Sequence, residues 1–139
     1  MADLSELRQA IYDKLLANAT CSDLLTKTTG NLSFALVYGE APPDMKMPYA
    51  CYYIIGTDDM LCFNSGQDWT SAWVQFSIFD VSDLSTVEQV RDGIKTALNR
   101  ESLTFPTLTS MSCYRIAGTG PMRLDDCWQL TEDYRIEFD

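Results

Sequence analysis

Histidine occurs nowhere in the 139 residues, and its absence limits the chemistry open to the chain. The commonest general base is missing, and with it the Ser-His and Cys-His nucleophile pairs. Cys21, Cys51, Cys62, Cys113 and Cys127 form an odd set with no Cys-x-x-Cys pair. A zinc site would want paired spacings and usually histidine. These cysteines read instead as small, buried, free thiols. Asp58-Asp59 and Asp125-Asp126 could hold a divalent cation together with other oxygens. Neighbours on a strand point apart, however, and neither pair belongs to a calcium-loop pattern, so both read as solvated loop charge. Gly118-Thr-Gly-Pro121 leads to no helix start and reads as a hairpin turn, not a phosphate cradle. No P-loop, dinucleotide fingerprint or nucleophile elbow occurs. The expectation is therefore no catalytic residue, no cofactor and no metal. A carboxylate- or cysteine-dependent enzyme, or a small-ligand binding domain, stays as an alternative, because sequence cannot place groups that meet only in space.

Ten basic against twenty acidic residues give a net charge of −10. Such a surface repels phosphates and argues against a conventional DNA-binding module, though not against a protein that lets DNA slide past. The length suits one domain with a real core. The longest apolar run, Tyr49 to Ile55, falls far short of the roughly 20 residues that span a membrane. Met-Ala-Asp-Leu-Ser-Glu at the start lacks a secretory signal pattern, which points to a cytoplasm and no membrane.

The stretch Asp68 to Asp80 positions everything else. Val74, Phe76 and Ile78 alternate with Trp73, Gln75, Ser77 and Phe79. That is the pattern of a strand with one face in a core and aromatics on the wetter face. Ahead of it, Leu4, Leu7, Ile11 and Leu15 recur at helical steps and predict a helix over residues 4–17, opened by an Asp3–Glu6 capping box. Cys21 to Leu25 adds at most a turn. Strands are expected over 34–38 and 49–55, separated by a loop with three prolines in seven positions. Thr57 to Gln67 then reads as a long hairpin loop whose apolar quartet, Met60 to Phe63, either folds onto the core or binds a partner. Ser85-Thr-Val-Glu88 reads as the capping box of a second helix with Val87, Val90, Ile94, Ala97 and Leu98 inward. Strands follow over 111–117 and 128–138, the latter alternating cleanly except at Glu132, which suggests a strand edge or a bulge. The expected fold is α+β in two layers: a mostly antiparallel sheet of four to five strands, with two helices packed on one face, in the order α-β-β-β-α-β-β.

Several short strings in that order resemble the tail terminator (tail completion) proteins of long-tailed phages. They are Ala10-Ile-Tyr-Asp-Lys-Leu-Leu16, Val37-Tyr-Gly-Glu-Ala-Pro-Pro43 leading through Pro48-Tyr49, Trp73-Val-Gln-Phe-Ser-Ile-Phe79, the helix from Val87 to Leu98, and Tyr134-Arg-Ile-Glu-Phe138. The resemblance implies a structural protein of the virion, assembled in the host cytoplasm. Its copies would form a ring, typically of six, at the head-proximal end of the tail. The ring would end polymerisation of the tail tube protein and dock the head–tail connector protein, while DNA passes through the lumen without specific binding. A head–tail stopper or adaptor ring is the alternative within the same assembly. A closed ring needs two different, complementary patches on each subunit. The residues expected at such contacts are Asp58, Asp59, Met60, Leu61 and Phe63 in the hairpin, with Trp73 and Phe79 on the wetter strand face; the role of the hairpin is read from its residues and does not come with the resemblance.

Overall fold

The computed structural model describes residues 4–27, 34–43, 45–61, 68–81, 83–103 and 110–138. Helix α1 (Leu4–Leu16) is followed by a short α2 (Ala19–Ser22) and a π-helical turn over Asp23–Lys27. Strands β1 (Leu36–Tyr38), β2 (Tyr49–Leu61) and β3 (Asp68–Asp80) precede helix α3 (Leu84–Leu98). Strands β4 (Ser110–Gly118), β5 (Met122–Arg123) and β6 (Trp128–Phe138) complete the order. They form one sheet ordered β1-β2-β3-β6-β4, with β5 also paired to β6. Only β1–β2 is parallel; every other pairing is antiparallel. The architecture is α+β with an open sheet, as expected, and β5 is a sixth strand of two residues.

The core lies between the sheet and the helices. Val74, Phe76 and Ile78 of β3 are fully buried, and so are Leu130, Tyr134, Ile136 and Phe138 of β6. Against them pack Leu7, Ile11 and Leu15 of α1 and Val87, Val90, Ile94 and Leu98 of α3. Period 2 on the strands and period 3.6 on the helices thus deliver one continuous apolar layer. Gly93 of α3 lets α2 come close: a Cβ there would stand 2.9 Å from Cys21 Sγ and 3.1 Å from Asn18 Oδ1. Asn18 in turn caps α2 by accepting from Cys21 N at 3.0 Å.

Four expectations need correction. The strand expected to end at Ile55 runs on to Leu61. Thr57 to Leu61 pair with Ala72 to Asp68 after a register shift between Ile54 and Gly56. Thr57, Asp58, Asp59, Met60 and Leu61 are therefore strand, not loop, because the polar residues that suggested a loop have a continuous β3 partner. Cys62 to Gln67, with Phe63, lie outside the described residues, as does Asp3 of the first capping box. The α3 cap is Asp83, whose Oδ1 accepts from Ser85 N at 2.9 Å; an aspartate two residues earlier outcompetes the Ser85 box. The chain reverses at Leu124–Cys127, where Leu124 N donates to Cys127 O at 2.8 Å. Gly118-Thr-Gly-Pro121 only bends the strand, since Thr119 N still donates to Thr131 O at 3.0 Å and β5 continues along β6 in the same direction.

The fourth correction concerns Glu132. It sits in the sheet interior, between β3 and β4, and is 1% exposed on the core face. The irregularity is in its neighbour β4, which shifts register between Arg115 and Ala117. Arg115 closes on Glu132 with Nε on Oε2, and with Nη2 on Oε1 at 3.3 Å, while Arg91 Nε stands 4.0 Å from Oε1. Gly118 lies directly opposite Glu132; a Cβ there would come within 2.8 Å of Glu132 Oε2 and overlap Arg115 Nη2. A forked guanidinium on a buried carboxylate is the geometry that keeps such a charge tolerable.

Phe76→Ala should cost about 3–5 kcal/mol as a large-to-small core change, read from urea midpoints at unchanged slope; a loss near zero would mean that this face is not the core. The ion pair should respond asymmetrically. Arg115 is about one-third exposed and Glu132 is not, so Arg115→Met leaves a buried carboxylate with only Arg91 at 4.0 Å and should cost about 3–5 kcal/mol. Glu132→Gln leaves two arginines that reach water and should cost clearly less. Equal losses would contradict the asymmetry of burial.

Candidate functional site

The helices cover one face of the sheet. On the other, strand alternation brings side chains from four strands into rows. One row runs Gly56, Trp73, Arg135, Tyr114, and the next runs Asp58, Ser71, Glu137, Ser112. Tyr53, Trp73 and Tyr114 are each nearly two-fifths exposed here. Gly56 beside Trp73 contributes no side chain, which leaves the indole open on that flank. Tyr53 on β2, Trp73 on β3 and Tyr114 on β4, the last two separated by Arg135 of β6, place three exposed aromatics on one face, and exposed aromatic surface on a small domain marks a contact surface.

Arg135 organises the middle of this face. Its guanidinium lies 5.8 Å from the Trp73 ring centroid, at the reach of a cation–π contact. Its Nη1 donates to Ser71 Oγ at 3.1 Å and stands 3.7 Å from Asp58 Oδ2. Tyr53 donates to Gln75 Oε1 at 2.6 Å, and Ser112 donates to Glu137 Oε2 at 3.2 Å. The polar groups thus hold the aromatics in place while each stays partly exposed. Asp58 is exposed, so its pairing with Arg135 is loose and screened.

Phe79 lies on the same face nearer the loop after β1. Its ring meets Tyr49 at 5.1 Å between centroids. With Gly39, Ala41, Cys51 and Tyr53 it lines an open groove of about 490 Å³. Of the residues expected at contacts, Asp58, Trp73 and Phe79 therefore share one face, and Asp58 and Trp73 share Arg135. Asp59, Met60 and Leu61 pair with Thr70, Trp69 and Asp68. Tyr53, Tyr114 and Arg135 were missed. Nothing in the sequence said which strands flank β3, and the outward period-2 positions of β2, β4 and β6 become a patch only once that order is known.

A second groove, of about 580 Å³, runs between α1 and β1. Arg8 lies 4.2 Å over the Tyr38 ring, and Tyr52 donates its hydroxyl to Arg8 O at 2.9 Å. These bonds tie α1 to the β1 edge. Among the described residues no group of three or more acidic or cysteine side chains gathers as a metal site, and no helix is long and apolar enough to cross a membrane. Cys21, Cys51, Cys113 and Cys127 are free thiols and buried. Burial pushes the Cys21 and Cys113 thiols up to about 12, the opposite of what a nucleophile needs.

No protein-family model and no curated protein sequence matches the chain. Among solved structures, a chain in the virion of a native gene transfer agent particle shares the fold with a TM-score of 0.76 at 14% identity. The match covers 99% of this chain and 97% of that one. A second solved chain aligns at a TM-score of 0.61 and 12% identity, over 98% and 96% of the two chains.

Both thiols should resist ionisation in the folded state and ionise freely when unfolded, near 9. The unfolded chain then binds fewer protons above that pH, so stability falls as pH rises from about 9 towards 12, by about 1.4 kcal/mol per pH unit for each thiol. Urea melts at pH 8 and pH 10 should show this fall, and Cys21→Ala with Cys113→Ala should make it clearly shallower. An unchanged slope in the double variant would show that the thiols do not carry it.

Proposed function

We propose that this chain is a structural component of a phage-like virion, forming a ring at the head-proximal end of a tail. The ring ends tube polymerisation and offers the docking surface for the head connector, with DNA passing through its lumen. The observation that carries this reading is the end-to-end fold match with a gene transfer agent virion chain. A match over nearly the whole of both chains makes the domain itself, not a shared fragment, the unit of comparison. Fold alone does not assign function, and three features of this chain support the assignment. The aromatic patch around Arg135 gives a surface for a protein partner. The net charge of −10 suits a lumen that must not grip DNA. The buried thiols and the lack of histidine suit a scaffold better than a catalyst.

Contacts with neighbouring copies and with the tube fall, on this reading, on Asp58, Asp59, Met60 and Leu61 of β2, on Phe63, and on Trp73 and Phe79 of the open face. Trp73 has the strongest claim, because it is the largest of the exposed aromatics on this face.

Particles produced without this chain should carry tails of uncontrolled length, or heads and tails left unjoined, in electron micrographs. Trp73→Ser with Tyr114→Ser should reproduce that phenotype while the purified variant keeps a near-normal melting temperature. Normal particles in either case would contradict the assignment.

A further inference from the structure

The two ends of the sheet are unlike, and they lie on one line. Strand β1 covers β2 only at Ala50, Cys51 and Tyr52. Beyond that, Ile54 N is met by the Tyr38 hydroxyl at 3.3 Å, and Thr57 onward has no strand neighbour on that side among the described residues. Thr57 and Asp59 oppose Ala72 and Thr70, which continue the every-second-residue series of the β3 residues facing Ala50, Tyr52 and Ile54, whose backbone groups turn towards β1. Their backbone groups therefore point out of the free edge. Asp58, between them, has a side chain about four-fifths exposed. Across the sheet, the row from Thr57 passes through Ala72 and Ile136 to Cys113. It ends on Arg100, whose N–H donates to Cys113 O at 2.7 Å. The β4 edge is thus closed where, among the described residues, the β2 edge is open: Asn99 Oδ1 takes Arg115 N at 3.0 Å and Arg100 takes the Cys113 carbonyl. Arg100 is exposed, and Lys95 from the last turn of α3 adds a second exposed cation, with Glu101 next in sequence and Asp92 one turn before Lys95.

We infer that copies of this chain join head to tail along this row, the acidic open edge of β2 around Asp58 seating on the Arg100 corner of the next copy. The occupant is a second copy because both halves of a complementary contact sit on one chain, at the same level and at opposite ends of the sheet. That is what a heterologous interface requires. Carboxylate and guanidinium supply the pairing, and the exposed strand carbonyls supply further acceptors for Arg100 and Lys95. Charge also favours this register: between two strongly acidic copies, an approach that brings a cationic patch against the acidic edge is less repelled. The inference deepens the assembly reading above and rests on it.

The test uses Asp58→Arg and Arg100→Asp, the latter chosen because aspartate tolerates the φ of 63° at that position. Sedimentation of the unsubstituted chain over a concentration series should show self-association that weakens as salt rises from about 0.05 to 0.5 M. Each single variant should fold as judged by near-ultraviolet dichroism and associate about tenfold or more weakly. Mixing the two should restore association, because every seam in an alternating assembly again pairs unlike charges, and the products should hold even numbers of copies. Single variants that associate normally, a mixture that stays dissociated, or association indifferent to salt would overturn the inference while leaving the assembly reading in place. An unsubstituted chain that stays monomeric at every concentration would overturn both.

Discussion

Strand β6 is the constraint on which the structure depends. It pairs with β3 from Trp128 to Phe138 without a register break, and with β4 along its other side. One residue of slip would carry Leu130, Tyr134, Ile136 and Phe138 out of the core and bring Asp133, Arg135 and Glu137 in. Register is therefore enforced twice, by the apolar face and by Glu132, which finds its counter-ion only where the shift in β4 places Arg115. A buried charge pair adds little net stability over an apolar pair. Its use here is to make a wrong alignment of β4 on β6 costly.

That same register builds the outer face. Once β6 is fixed between β3 and β4, Arg135 must lie between Trp73 and Tyr114, and Glu137 between Ser71 and Ser112. Core and candidate interface are two sides of one alternation, so the rigidity of the first preorganises the second. A contact surface built on four hydrogen-bonded strands loses little conformational entropy when a partner arrives. Open grooves sit at the margins of this platform, beside the loop after β1 and between α1 and β1, where the sheet gives way to irregular chain.

Much of this was legible in the sequence. The alternation of Val74, Phe76 and Ile78, the helical stripes ending in Leu15 and Leu98, and the α+β order are local patterns, and local patterns survive folding when the core rewards them. What stayed illegible depends on distant partners. Thr57 to Leu61 reads as loop until β3 is seen to continue alongside it. Gly118 to Pro121 reads as a reversal until Thr119 is seen to keep its bond to Thr131. Glu132 reads as misplaced until Arg115 arrives from β4. Trp73 and Phe79 could be picked out as outward aromatics, whereas Tyr53, Tyr114 and Arg135 became part of the candidate site only through the order β2-β3-β6-β4.

The central claim is that this domain works as one copy among several in a virion. A reconstruction of the head–tail joint in intact particles tests it most directly. The account predicts a closed ring of this fold at the head-proximal end of the tail tube, with the open face and the β2 edge buried in contacts and DNA density in the lumen. A joint lacking this fold, or holding it with the Trp73–Arg135–Tyr114 row bare to solvent, would contradict the account.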